Sequence, residues 1–381
     1  MQLKSIILTN LRNHKNTHIE FSGGLNVLFG RNGAGKTTIL EAIAISGFSK
    51  SFLPVADVSL IKSGENFYSV AVSAENDLGI PYKVNVYFAS GQRKRLTSSF
   101  GDNLTPKDII GELPQVILSP DFKNITFGSP LDRRYFLDRI LSQASKLYLE
   151  NLLNLKKCLK QRNNLLQKAE TDLSFNYSLV EPWTNLLIKT ASDIIEKRHR
   201  FIQDFIPYFQ STYKDISGDS EPVSFEYMPN GVINLHNNNI SKEYISECLN
   251  NQALRLQKAE LARGTTLFGP QKDEVRISIN GGIAREFASQ GQHKSLLISI
   301  KFAEFNFLKN IKQETPVVLL DDIFSELDDK RSEKVIELVT GSKAQTIITV
   351  TNPSILSWIC SPESSCSYFK IEGGEVSNYE L

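Results

Sequence analysis

Gly30-Arg31-Asn32-Gly33-Ala34-Gly35-Lys36-Thr37, followed by Thr38, packs three glycines, a lysine and a hydroxyl into eight positions. The spacing is G-x-x-x-x-G-K-[ST], and its chemistry is polyphosphate binding. Glycines let successive N–H groups curl around phosphate oxygens, Lys36 adds a full positive charge, and Thr37 offers a hydroxyl to Mg²⁺. Far along the chain, Val317-Val-Leu-Leu-Asp321-Asp322 ends an apolar run on two carboxylates. Asp321 is the expected Mg²⁺ partner, and Asp322 the group that holds or deprotonates an attacking water. Two aspartates after a strand more often make a turn or a cap, but a phosphate loop in the same chain gives them a task. A third stretch, Phe287-Ala-Ser289-Gln-Gly291-Gln292, precedes a helical pattern. It offers a second helix N-terminus to an anion, although alone it reads as a capping serine beside a flexible glycine.

These residues need a strand–turn–helix frame. The first hundred residues read as strands, Ser5 to Thr9, His18 to Phe21, Leu25 to Phe29, Tyr68 to Ala74 and Tyr82 to Phe88, interrupted by a helix from about Gly35 with Ile39, Leu40, Ile43 and Ala44 on one face. From about Pro130 the periodicity becomes helical, Leu131 to Ala169 and Pro182 to Lys214. A β-like return (Val223 to Leu235), an Asn-rich loop (Asn237 to Asn239) and a helix over Tyr244 to Arg263 follow. Beyond Gly264 come a strand Val275 to Ile279, a helix Lys294 to Leu308, the buried run Val317 to Leu320, a helix Arg331 to Val339 and a strand Thr346 to Val350, a β-α-β order that builds parallel sheets. The expected architecture is α/β, an ATPase head with mixed sheets over 1–129 and 264–381, plus an inserted, mainly helical lobe over 130–263.

The 381 residues are 41% hydrophobic and 22% charged, which fits a globular chain of two or three domains and excludes disorder. Lys plus Arg is 43 and Asp plus Glu 42, a formal charge of +1, so nucleic acid can be bound only by a local basic face. Cys158, Cys248, Cys360 and Cys366 form no C-x-x-C pair and have no histidines beside them, which indicates neither a disulfide framework nor a zinc site. With no long apolar run, the expectation is a cytoplasmic protein without a membrane partner.

The order of phosphate loop, long insertion, Ser-x-Gly-Gln, carboxylate strand and Ser325-Glu-Leu-Asp328 resembles the ABC-type ATPase heads. Leu11-Arg12-Asn13, Leu40-Glu-Ala-Ile43, Ser119-Pro-Asp121, Gly128-Ser-Pro130 with Arg133-Arg134 and Leu137-Asp138-Arg139, Gln161-Arg-Asn163, and Gly269-Pro270 with Asp273 narrow the resemblance to the RecF family over nearly the whole chain. The resemblance implies an SMC-like recombination mediator with a compact helical lobe, which dimerises on ATP–Mg²⁺, binds duplex or gapped DNA and works with RecR and RecO to load the recombinase. It places the cis nucleotide on Arg12, Gly30, Asn32, Gly33, Ala34, Gly35, Lys36, Thr37 and Thr38. Ser289, Gly291 and Gln292 contact the partner's nucleotide, with Asp328 in the D-loop, and Ser289 acts with Lys36 and Asp322 in catalysis. The chain departs from transporter heads in reading Ala-Ser-Gln-Gly-Gln at the signature, Asp322 in place of Glu, and Thr349-Val-Thr351 where a switch His stands. Slow, DNA-stimulated hydrolysis follows, since Asp322 is one methylene shorter. No Q-loop glutamine is evident, which leaves Asp121 as the candidate near the metal.

From Arg133 to Lys168 the bases Arg133, Arg134, Arg139, Lys146, Lys156, Lys157, Lys160, Arg162 and Lys168 face only Asp138 and Glu150. Arg93-Lys94-Arg95 forms a second cluster. Both are expected to meet DNA phosphates, with Arg133, Arg134, Lys156, Lys157 and Lys160 foremost on the helices. A transporter nucleotide-binding subunit is the first rival reading, and the helical insertion opposes it. Another SMC-like head is the second; the roughly 250 residues between Lys36 and Ser289 leave no room for a long coiled-coil tether.

Overall fold

The computed structural model describes residues 1–171, 175–218, 221–232, 241–351 and 366–379. The expected loop at Asn237 to Asn239 lies outside them. Along the chain run β1 (Gln2–Leu11), β2 (His14–Glu20), β3 (Leu25–Phe29), helix α1 (Lys36–Phe48), β4 (Phe67–Glu75), β5 (Pro81–Ala89), β6 (Arg95–Ser98), β7 (Gly101–Leu104) and β8 (Gln115–Leu118). Helices α2 (Pro130–Ala144), α3 (Lys146–Thr171) and α4 (Glu181–Ser217) follow, then β9 (Val223–Met228), α5 (Lys242–Arg263), β10 (Glu274–Ile279) and β11 (Gly282–Ile283). The chain continues through α6 (Gln290–Lys312), β12 (Val317–Asp321), α7 (Asp329–Ser342), β13 (Thr346–Val350), β14 (Cys366–Glu372) and β15 (Glu375–Tyr379), with short single-turn helices between.

Two compact units emerge, Met1–Lys123 with Ser211–Ser220 and Ser289–Leu381, and Asn124–Gln210 with Glu221–Ala288. The division falls at 123/124 and 288/289, where the sequence suggested 129/130 and 263/264. The reason is strand pairing: β10 pairs along its whole length with β9, so residues 274–283 join the helical unit.

The first unit holds two six-stranded sheets. One is antiparallel in the order β2-β1-β4-β5-β6-β7; the other runs β15-β14-β3-β13-β12-β8, parallel except for β15. The parallel strands are continuous apolar runs, as strands covered on both faces must be. Helix α1 shares one apolar core with both sheets, and all its residues but Thr37 are buried. The single apolar face expected from periodicity is therefore an incomplete description: a helix packed on two sides has no solvent face to keep polar. In the parallel sheet β13 lies between β3 and β12, so these three strands end at one edge, the carboxyl edge where ligands of α/β sheets bind. Cys158 and Cys248 are free thiols, whereas Cys366 is disulfide-bonded, which the sequence reading did not anticipate.

In the second unit the single helix expected over 131–169 is two. Ser145 turns extended (φ −147°, ψ 116°) and its Oγ accepts the Tyr148 N–H at 3.2 Å, which starts α3 as α2 ends. Two buried ion networks hold this unit. Arg198 donates to Asp273 Oδ2 (2.7 Å), the Pro270 carbonyl (2.8 Å), Asp138 Oδ1 (2.8 Å) and Tyr148 Oη (3.0 Å). Burial pushes the Asp273 carboxyl up, and Arg198, the Tyr227 hydroxyl and the Asn230 N–H pull it back. Arg162 is fully buried against Glu260 (2.6 Å) and also donates to Thr266 Oγ1 (2.9 Å) and Thr184 Oγ1 (3.0 Å). Arg162 therefore does not belong to a basic DNA face.

Removing one partner of such a pair strands the other charge in the interior, at a cost of about 3–5 kcal/mol. Arg162→Met is expected to lose that much stability in urea unfolding, and Lys160→Ala, two residues away on the exposed face, only about 0.5 kcal/mol or less. Equal, small effects would place Arg162 at the surface.

Candidate nucleotide site

The phosphate loop occupies the turn from β3 to α1. Gly35 takes φ 115°, and a Cβ there would lie 2.5 Å from His14 Nε2, so the position accepts only glycine. Lys36 Nζ donates to the carbonyls of Gly30 (2.7 Å) and Arg31 (3.0 Å), which holds the ammonium inside the loop. Burial lowers its pKa, and the Asp322 and Asp321 charges draw it back.

Across the edge, Asp321 closes β12. Its Oδ1 accepts the hydroxyls of Thr37 and Thr349, each at 2.9 Å. Burial raises the Asp321 pKa, the two hydroxyls lower it, and the charges of Asp322 and Asp121 raise it further. A buried carboxylate under that pressure suits a cation, and the oxygen donors of Thr37 and Asp321 suit Mg²⁺. Among the described residues no group of three or more His, Cys, Asp or Glu could hold a metal unaided, so these two would share it with nucleotide oxygens. Gln115 does not serve as a Q-loop glutamine: it is buried in β8 and donates to the Ile43 carbonyl at 3.3 Å.

A cleft of about 400 Å³ opens over the loop, walled by Arg12, Asn13, Leu53, Asp322 and Thr349. Residues 12–14 wrap the loop from outside. Asn13 Nδ2 donates to the Ala34 carbonyl at 2.8 Å, and His14 Nε2 lies 3.1 Å from the Gly35 carbonyl. Burial keeps the His14 pKa low. Arg12, itself at φ 49°, pairs with the buried Glu41 through Nε (2.6 Å) and Nη2 (2.9 Å), and Ser51 Oγ donates to the same carboxylate at 2.6 Å. Sequence reasoning missed Asn13, His14, Glu41 and Thr349 as site residues. Glu41 carried a signal, a lone carboxylate in the apolar run of α1; Thr349 stood out in the sequence only as a replacement for a switch His, and its register opposite Asp321 is what brings it to the carboxylate.

Gly33, Asn32, Gly35, Lys36, Thr37, Thr38, Arg12 and Asp322 all line this cleft, with Gly30 and Ala34 in the same loop. Ser289, Gly291, Gln292 and Asp328 do not line it. Ser289 caps α6: its Oγ accepts the Gln292 N–H (3.2 Å) and Gln292 Oε1 accepts the Ser289 N–H (2.7 Å), a reciprocal capping box. A Cβ on Gly291 would lie 3.0 Å from Arg331 Nη2. Arg331 reaches Ser295 Oγ at 2.9 Å and its N–H is accepted by Asp328 Oδ1 at 2.9 Å, so the signature end of α6 and the start of α7 are tied together.

Besides Arg162, three of the expected DNA contacts are spent inside the fold. Lys94 bonds Asp57 (2.5 Å) and the Ser49 carbonyl (2.6 Å); Arg133 forms a two-pronged pair with Glu274 (2.9 and 3.0 Å); Arg134 donates to the Asp273 carbonyl at 2.6 Å. Lys156, Lys157 and Lys160 are exposed on α3, and Arg93 and Arg95 at the β5–β6 turn.

The two sheets flanking α1, the phosphate loop and the carboxylate strand define an ABC-type ATPase head carrying a helical lobe. A family profile described as an AAA domain matches residues 5–205. The DNA replication and repair protein RecF of Chloroherpeton thalassium is 34% identical over 356 residues, 92% of this chain and 95% of that protein. The solved recombination mediator protein RecF-ATP of the RecFOR pathway superposes with a TM-score of 0.90 at 28% identity, over 100% of this chain and 98% of that one. A solved Smc head bound to the C-terminal winged-helix domain of ScpA shares the fold alone, at TM-score 0.58 and 15% identity, over 100% of this chain and 98% of that one. The chain belongs to the RecF family of DNA replication and repair proteins.

Proposed function

We propose that the chain is an ATP-hydrolysing switch of recombinational repair, whose ATP-bound homodimer grips duplex or gapped DNA and, with RecR and RecO, helps load the recombinase in the cytoplasm. The observation that carries this reading is the convergence of Lys36, Thr37 and Asp322 on one cleft, with the buried Asp321 bonded to Thr37, in a chain whose family includes a structure solved with ATP. Among the described residues no helix is long and apolar enough to cross a membrane.

In this reading the loop N–H groups and Lys36 hold the β- and γ-phosphates, Thr37 and Asp321 hold Mg²⁺, and Arg12 reaches the nucleotide from its seat on Glu41. Mg²⁺ supplies charge neutralisation on the phosphates. Asp322 orients the attacking water and accepts its proton. Ser289 stands outside its own cleft at the N-terminus of α6, a 23-residue helix, which supports a role on the partner's γ-phosphate and makes association depend on ATP. The short Asp322 side chain supports slow turnover, suited to timing a DNA-bound state.

Lys36→Ala is expected to weaken binding of a fluorescent ATP analogue at least about 100-fold, since a buried charge-assisted contact to phosphate is lost; unchanged affinity would remove the loop from the account. For DNA, Lys156, Lys157 and Lys160 offer phosphate contacts that the fold leaves exposed. Replacing all three by Ala, with ATP present, is expected to flatten the log–log salt dependence of duplex binding by about 3. An unchanged slope would shift the contacts to Arg93 and Arg95.

A further inference from the structure

Thr349 joins the Asp321 carboxylate to the backbone of Asp322, two neighbouring residues that the catalytic reading treats separately. It lies on β13, paired in register with Asp321 of β12, and is 1% exposed. Its hydroxyl donates to Asp321 Oδ1 at 2.9 Å and accepts the Asp322 N–H at 2.9 Å. The ladder between the two strands ends at this pair, and Asp322 turns away in the left-handed region at φ 47°, a conformation that L-residues adopt at a cost. At that turn the Asp322 N–H leaves the strand ladder, and the threonine hydroxyl receives it. The same hydroxyl, together with that of Thr37, holds Asp321 Oδ1. One buried side chain thus sets the position of Asp322 relative to Asp321.

We propose that Thr349 is a positioning residue for hydrolysis: it holds Asp322 in the left-handed turn from which its carboxylate meets the water, while contributing little to nucleotide affinity. The proposal rests on the reading of Asp322 as the water-orienting group. Valine has the shape of threonine without the hydroxyl, so Thr349→Val removes both hydrogen bonds and leaves the packing of β13 intact; serine keeps the hydroxyl. A displacement of a reacting group by about 1 Å costs on the order of 100-fold in rate.

The test is single-turnover ATP hydrolysis at saturating nucleotide and Mg²⁺, paired with ATP affinity, for the parent, Thr349→Val, Thr349→Ser and Asp322→Asn. Thr349→Val is expected to slow hydrolysis about 10- to 100-fold with affinity within about 3-fold, and Thr349→Ser to recover most of the rate. A parental rate in Thr349→Val beside an inactive Asp322→Asn would overturn the proposal alone; a parental rate in Asp322→Asn would overturn the reading beneath it. If Thr349→Val is insoluble, Thr349→Ala serves in its place, and a fall in ATP affinity equal to the fall in rate would also count against a positioning role.

Discussion

One carboxylate oxygen organises the site. Asp321 Oδ1 accepts a hydroxyl from the first turn of α1 and another from β13, so three segments far apart in sequence are fixed to one point at the carboxyl edge of the parallel sheet. That convergence requires β3, β13 and β12 to lie side by side, which in turn requires strands buried on both faces and a helix, α1, buried at every residue but Thr37. The tolerance is small. A Cβ on Gly30 would lie 2.2 Å from the Ile371 carbonyl, so β14 packs directly behind the loop and leaves no room for another residue type. The loop is also held from outside, by Asn13 and His14 on its carbonyls.

The second unit follows a different logic. Several of the residues that carry the family resemblance, Asp138, Arg162, Asn163 and Asp273, are consumed in buried ion and hydrogen-bond networks that tie α2, α3, α4 and α5 together and reach β9 and the residue before β10. Their task is to satisfy charges away from water, and they constrain which helix faces turn inward. Lys156, Lys157 and Lys160 of α3 stay exposed. A basic count along a helix therefore overstates its positive face when some of its arginines point into the core.

Much of the head was legible because its signals are local. Leu25 to Phe29 and Thr346 to Val350 match the observed strands in full, since short apolar runs beside a glycine-rich loop have few other readings. The loop, Asp321 and Asp322 were likewise readable from spacing. What stayed hidden depends on register or on burial. The break at Ser145 was masked because the apolar stripe continues through it, and β6, β7, β14 and β15 lack the length or alternation to stand out. Thr349 and Glu41 became site residues only once pairing and packing showed what their oxygens touch, and Lys94 and Arg133 ceased to be free cations for the same reason.

In the proposed switch a complete site needs the phosphate loop of one chain and the Ser289 helix terminus of another. Mixing two inactive variants, Asp322→Asn and Ser289→Arg, tests it directly. If the site is shared, a mixed dimer holds one doubly altered site and one fully intact site, and ATP hydrolysis rises well above the sum of the two variants measured alone. A rate that stays at that sum at every mixing ratio would contradict the shared site and return Ser289 to its role as the cap of α6.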